Sequence, residues 1–293
     1  MRYLVIGHVT RDRTPGGGFT IGGTVTYAAR TAQALGCRVQ VVTSASDGFD
    51  LTSALAGIAV HRVWSDVTTT FENRYTSEGR TQVVRSVAAP LTPEAVPSSW
   101  RASDIVHLGP VAQECDSSLI DLFPGVFLGL TPQGWMRRWD REGRVEPAAW
   151  EYAEMLLPRA DAVVLSEEDV AGDEAVITRW ARQARILVVT RGPAGCTLYV
   201  GGVAKEVAGF PAVEVDPTGA GDIFAAVFFV EMRRGRSPLE AACLANCIAA
   251  VSVTRPGLAG TPTREEVARC RAEVCEGWDE RRLRVGQPEG WRG

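Results

Sequence analysis

The residues best suited to chemistry stand together at Asp216-Pro217-Thr218-Gly219-Ala220-Gly221-Asp222, directly ahead of Ile223-Phe224-Ala225-Ala226-Val227-Phe228-Phe229. The second stretch is apolar on nearly every face, the mark of a buried helix. A glycine-rich turn entering such a helix presents unpaired N–H groups with the helix dipole behind them, and so attracts anionic oxygen. Glycine at 219 and 221 leaves no Cβ in the way of a close approach. A carboxylate at Asp222 would repel an anion bound there unless it had a task, such as accepting the proton of an attacking hydroxyl. Phosphoryl transfer asks for this set: positioning, charge stabilisation and one group on the nucleophile. The helix end is expected to hold the pKa of Asp222 low, making it an ionised, well-placed acceptor. The same Asp also fits a structural N-cap, and residue types alone leave both readings open.

Elements able to position such a site are visible along the chain. Apolar runs at Leu4–Val9, Val39–Thr43, Val60–Trp64, Ile105–Leu108, Val126–Leu130, Ala162–Leu165 and Ile186–Thr190 are continuous rather than alternating, as in strands buried on both faces. Helical stretches lie between them. One begins near Gly23, lines up Val25, Ala28, Ala29, Ala32 and Leu35, and stops at Gly36. This alternation predicts an α/β fold with a mostly parallel sheet. Two segments break the rhythm. Phe19–Ile21 and residues 68–87 are rich in β-formers, with a turn at Ser77-Glu78-Gly79-Arg80, and predict an inserted hairpin, either a lid or a plain surface feature. Toward the C-terminus, Ser237-Pro238-Leu239-Glu240 and Thr263-Arg264-Glu265-Glu266 are capping boxes. Beyond about Arg284 no periodicity remains, and residues 285–293 are expected to be loosely ordered.

Composition narrows the function classes. The chain has 293 residues, a formal charge of −4 and ordinary globular usage, so one large α/β domain over residues 1–284 is expected. Nothing in that charge calls for nucleic acid or an anionic membrane. No apolar run approaches the roughly 20 residues that span a bilayer, and Met1–Gly7 reads as a first strand rather than a leader. Seven cysteines, none in C-x-x-C, suggest free thiols in a reducing, cytoplasmic setting. His8 and His107 are expected to be packed histidines. Gly7 lacks the partners of a dinucleotide fingerprint.

The D-P-T-G-A-G-D string with its apolar helix resembles the C-terminal signature of the ribokinase-like (PfkB) sugar-kinase family, usually D-T-x-G-A-G-D. Gly22-Gly23 ahead of an Ala-rich helix ending Ala34-Leu35-Gly36 resembles the family's N-terminal pattern, and Thr190-Arg191-Gly192-Pro193-Ala194-Gly195 its T-x-G-x-x-G nucleotide loop. The match runs from about Met1 to Val267. It implies a three-layer α/β sandwich with a small β-lid over the substrate, built from about 18–21 and 68–87, which often serves as a homodimer interface. It also implies transfer of the γ-phosphate of ATP to a hydroxyl of a small polyhydroxylated molecule. By position, Asp222 matches the catalytic base and Gly219, Ala220 and Gly221 the anion hole. Asp12 matches the residue that binds substrate hydroxyls, and Gly22 and Gly23 the di-glycine that lets sugar approach the backbone. Thr190, Gly192, Gly195, Ser166 and Asn246 fall where the family meets ATP. Asp216 and Thr218 fall near the monovalent-cation (K⁺) site of some members.

Three departures bear on substrate and metal. The family's N-x-x-E reads Ser166-Glu167-Glu168-Asp169, leaving Asp169 to hold a water of Mg²⁺. Tyr27 stands where many sugar kinases have Asn, and is expected to face the substrate or else to point into the core and fill space. Thr131-Pro132-Gln133-Gly134-Trp135 replaces a common Asp-Pro-Asn, placing Gln133 beside the substrate. The pair Arg137-Arg138 suits either stacking on a base or the start of a solvated helix. A ring substrate with one apolar face is expected, a myo-inositol-like cyclitol ahead of a nucleoside and of a free pentose. A kinase for a hydroxymethylpyrimidine or pyridoxal, or a catalytically weak binding protein of the same fold, are the alternatives.

Overall fold

A computed structural model describes residues 1–14, 16–76 and 79–276. In chain order the elements are β1 (Arg2–Ile6), β2 (Thr10–Arg13), β3 (Phe19–Gly22), α1 (Thr24–Ala34), β4 (Arg38–Ala45), β5 (Ala59–Trp64), β6 (Thr70–Thr76) and β7 (Gly79–Ser86). There follow β8 (Ile105–Leu108), β9 (Phe127–Leu130), β10 (Arg137–Trp139), β11 (Val145–Pro147), α2 (Ala153–Leu156), β12 (Ala162–Ser166), α3 (Glu174–Ala181) and β13 (Ile186–Thr190). The chain continues through β14 (Gly195–Val200), β15 (Val203–Ala208), α4 (Ala220–Arg233), α5 (Pro238–Ser252) and α6 (Arg264–Glu276).

The main sheet has the order β15-β14-β13-β12-β9-β8-β1-β4-β5 and is parallel from β13 to β5. Successive residues of β1 serve opposite faces. Tyr3 and Val5 join α1, α4, α5 and α6 in one core, while Leu4 and Ile6 join Trp135, Trp150, Leu156, Ile177 and Trp180 in the other. This three-layer arrangement explains why the strands read as continuous apolar runs. From β1 the chain winds outward in both directions, to β4 and β5 on one side and to β8, β9, β12 and β13 on the other. Such a reversal opens a crevice beyond the carboxyl ends of the central strands, where open α/β sheets bind their ligands.

The lid is larger than expected. Its four strands run β3-β2-β6-β7, with β2 parallel to β6 and the other pairs antiparallel. The first apolar run leaves the main sheet after Ile6, because the next amides find other partners: His8 N–H donates to Glu114 Oε1 at 2.8 Å and Val9 N–H to Thr43 Oγ1 at 2.8 Å. The chain thus turns straight into β2, which carries Asp12. Of the expected hairpin turn, Ser77 and Glu78 lie outside the described residues, as does the tail 285–293. Residues 137–139 form β10, paired with β11, rather than a helix start. Both capping boxes form, at Ser237–Glu240 and Thr263–Glu266. The seven cysteines are free thiols.

Candidate active site

The glycine turn sits where its sequence asks. Gly219 takes a left-handed conformation (φ 81°) as the N-cap of α4, and no side chain caps the helix. The first N–H groups of a helix have no intrahelical acceptor; here Ala220 N–H donates back to the Pro217 carbonyl at 3.1 Å, and no such bond engages Gly221 N–H. Gly221 is exposed, and nothing lies within 4 Å of the place a Cβ would occupy. Asp216 secures the approach to the turn: its Oδ1 accepts from Thr218 N–H at 3.0 Å and its Oδ2 from Gly257 N–H at 2.8 Å.

Asp222 lies in the first turn of α4, part-buried, with Ile223 behind it fully enclosed. Its carboxyl is pushed up to about 6, principally by burial and further by the charge of Asp169, against a Thr24 hydrogen bond and the nearby Arg137. The low pKa expected from the helix dipole is therefore corrected. The dipole favours the charged form in this first turn, but removal from water outweighs it. A carboxylate held near neutrality is a better proton acceptor than an ordinary Asp while remaining ionised at physiological pH.

Asp12 arrives from β2 on the lid side. Its Oδ1 accepts from Thr10 Oγ1 at 2.9 Å, and its Oδ2 lies 2.3 Å from where a Cβ on Gly22 would be. Gly23 (φ 88°) approaches the His8 carbonyl as closely, at 2.3 Å from a notional Cβ. A Cβ at either glycine would thus meet the protein itself, Asp12 at Gly22 and the His8 carbonyl at Gly23. Tyr27 packs inward, the second of its two expected placements. It is 3 % exposed, and its ring lies against Gly219 rather than across the open crevice. Burial and the charges of Asp12, Asp222 and Asp216 push its hydroxyl well up.

On the far side of Asp222 stand Gln133, Asp169 and Arg137. Gln133 Nε2 donates to Asp169 Oδ1 at 3.1 Å, and Asp169 Oδ2 accepts from Ser166 N–H at 2.9 Å. Ser166 Oγ in turn accepts from Glu168 N–H at 3.2 Å, closing a capping box at the end of β12. Ser166 therefore shapes this turn with its own side chain. Arg137 donates from Nη1 to the Val111 carbonyl at 3.2 Å and lies 5.8 Å from the Phe71 ring centre of the lid, so it bridges lid and core beside Asp222. Arg138 instead pairs with Glu146 at the surface.

The expected nucleotide loop forms a neighbouring group. Thr190 ends β13, and Gly192 opens an exposed 3-10 turn. Gly195 is buried where any Cβ would strike the Val207 carbonyl, so its lack of a side chain lets β14 pack against β15. Asn246 is buried as well. Its amide nitrogen donates to the carbonyls of Val207 and Ala208, at 3.1 and 3.2 Å, and so braces this hairpin. Arg191 ties the loop to the Ser166 turn through Glu167 and to Glu174 at 2.9 Å. His8 and His107 are enclosed and hydrogen-bonded, and burial takes His107 down to about 3. Thr24 was not anticipated beside Asp222, its one signal being its place as first residue of α1, and Arg137 was expected to stack on a base or start a helix rather than to lie near Asp222.

Comparison with known proteins shows the family. The profile of the pfkB family carbohydrate kinases matches residues 146–264. An inositol 3-kinase of Oryza sativa subsp. japonica is 32% identical over 279 residues, covering 87% of this chain and 69% of that protein. The chain belongs to the pfkB carbohydrate kinase family. An inositol 3-kinase of Zea mays is 41% identical over 129 residues, 43% of this chain and 33% of that protein. Among solved structures, a pyrophosphate-dependent kinase in the ribokinase family, complexed with a pyrophosphate analogue and myo-inositol, superposes with a TM-score of 0.76 at 24% identity, covering 91% of this chain and 99% of that one. As a pfkB kinase the protein is a phosphotransferase acting on a hydroxyl of a small sugar-like or cyclitol-like substrate. Its fold is the ribokinase sandwich with a lid, and among the described residues no helix is long and apolar enough to cross a membrane.

Proposed function

We propose that this kinase transfers the γ-phosphate of ATP to a ring hydroxyl of a cyclitol of the myo-inositol type. The observation that carries the reading is Asp222, part-buried in the first turn of α4 behind the Gly219 N-cap, with its carboxyl pushed up to about 6. Asp12 takes a pair of substrate hydroxyls from the lid side. Asp222 accepts the proton of the attacking hydroxyl, and the N–H groups of Gly219 and Gly221 receive the phosphoryl oxygens, while Ala220 N–H holds the turn through the Pro217 carbonyl. Arg137 adds a fixed positive charge beside them. The relatives that bear an inositol-kinase name favour a cyclitol over a pentose.

ATP would lie along Thr190–Ala194, exposed from Gly192 to Ala194, with Gly195 and Asn246 supporting it from beneath. Mg²⁺ supplies charge neutralisation on the donor phosphates when bound. Among the described residues no cluster of three or more acidic, histidine or cysteine side chains could cage a metal. The donor set fits an ion that keeps its waters and meets the protein through Asp169, whose carboxylate oxygens retain lone pairs beyond the two hydrogen bonds they accept. A K⁺ ion near Asp216 and Thr218 would share the clasp that Asp216 makes with Gly257. We assign the enzyme to the cytoplasm, with the lid as the face for a second copy.

The test is phosphate transfer by the purified enzyme across myo-inositol, a nucleoside, ribose and fructose, with ATP and with pyrophosphate as donors. Highest kcat/KM for myo-inositol with ATP is expected. A preference for a nucleoside or pentose would overturn the acceptor, and transfer from pyrophosphate alone would overturn the donor.

A further inference from the structure

Tyr27 occupies an unusual place for a residue on the substrate-side helix. Gly219, in its left-handed conformation, leans on the Tyr27 ring so closely that a Cβ would come within 2.3 Å of ring Cδ1 and 2.5 Å of Cε1. The contact is dry, since Tyr27 is 3 % exposed. Thr24 lies three residues earlier on the same face of α1 and hydrogen-bonds Asp222. One helix face therefore touches the glycine turn and the acidic residue together. Behind the ring, Thr31 Oγ1 donates to the Tyr27 carbonyl at 2.8 Å and α1 packs along α4 in the main core.

We infer that Tyr27 is a positioning residue for phosphoryl transfer: its ring is the floor that fixes the Gly219 turn against α1. The inference rests on the reading of Gly219–Asp222 as the site of transfer. It assigns to the ring the work of holding donor N–H groups at the geometry of the transferring phosphate. Tyr27 does not select the acceptor. Because α1 begins directly at the lid, through β3 and Gly22-Gly23, the same contact joins the acceptor side of the site to the phosphate side.

The experiment compares Tyr27→Leu and Tyr27→Phe with the unaltered enzyme, using myo-inositol and ATP with Mg²⁺, and records kcat, KM and melting temperature. Tyr27→Leu removes the flat floor, and a misplacement of about 1 Å costs on the order of 10²-fold in rate. The expected result is that loss in kcat, with the KM for myo-inositol and the order of preference among acceptors unchanged. Tyr27→Phe keeps the ring and is expected to restore most of kcat. If Tyr27→Phe falls as far as Tyr27→Leu, the hydroxyl rather than the ring matters and the proposal is overturned, even where the Leu variant folds poorly. A change confined to KM, with a new acceptor order, would make Tyr27 a substrate reader and overturn it as well. An Asp222→Asn enzyme of normal turnover would remove the parent reading. Loss of turnover in Asp222→Asn beside an unaffected Tyr27→Leu would remove only the role of Tyr27.

Discussion

Two helices of this kinase begin the same way and end up with different tasks. α1 follows Gly22-Gly23 and α4 follows Gly219-Ala220-Gly221, and each has a positive-φ glycine as N-cap with no side-chain cap. At α1 the vacated volume is filled by protein, the Asp12 carboxylate against Gly22 and the His8 carbonyl against Gly23. At α4 one side of the turn is filled by the Tyr27 ring and the other, at Gly221, opens to solvent. A glycine pair ahead of a helix therefore marks a close approach without saying whether chain or ligand makes it. The difference lies in which helix end faces the crevice beyond β1 and β8.

The sharpest way to break this comparison is to add one methyl group at each turn. Gly23 combines φ 88° with ψ 148°, a region essentially reserved for glycine, and a Cβ there meets the His8 carbonyl. Gly23→Ala is expected to lose more than about 1–3 kcal/mol of stability, read as a fall in melting temperature. Gly221→Ala meets nothing and replaces glycine within a helix, so its melting temperature should hold or rise. Its turnover should nevertheless fall, by on the order of 10²-fold if the methyl displaces the transferring group by about 1 Å. Equal stability losses at the two positions, or full activity in Gly221→Ala, would erase the distinction.

A smaller effect separates the two acidic residues. With the Asp222 carboxyl raised to about 6 by burial, the proton-accepting form is lost as pH falls through that value and is complete above it. The acidic limb of kcat/KM should therefore sit near pH 6, whereas an ordinary Asp would place it near about 3.9. The groups facing Asp222 are Thr24 from α1, Arg137 from β10 and Asp169 beyond β12. Asp12 is expected to act on binding alone. Asp12→Asn should weaken acceptor binding by about 1.5–3 kcal/mol, the range for hydrogen bonds to a charged group, and leave the position of the limb unchanged. An acidic limb that moves in Asp12→Asn would assign the titration to the lid side.

Much of this architecture was legible in the chain because burial on both sheet faces leaves continuous apolar runs, as in Val163, Val164 and Leu165. β2 was not, since Thr-Arg-Asp-Arg has no apolar content and is a strand only because β3 and β6 pair with its backbone. The hairpin of β14 and β15 was hidden for a like reason: Val203–Ala208 carries Lys205 and Glu206 on an edge strand. At the site, the Asp216–Asp222 string announced the turn, but the direction of Tyr27 depends on how α1 packs along α4. The pKa of Asp222 depends on the same packing, through burial that a helix-dipole argument does not contain. Arg137 reaches Asp222 only because β10 folds back under the lid.

The central claim is that phosphate moves at the end of α4 with Asp222 facing the acceptor. The most direct test is turnover of Asp222→Asn, measured beside its melting temperature and its affinity for ATP. The account predicts an intact fold, retained ATP binding and turnover lowered by at least ~10²-fold, the lower range for a positioned proton acceptor. Turnover close to that of the unaltered enzyme would contradict it.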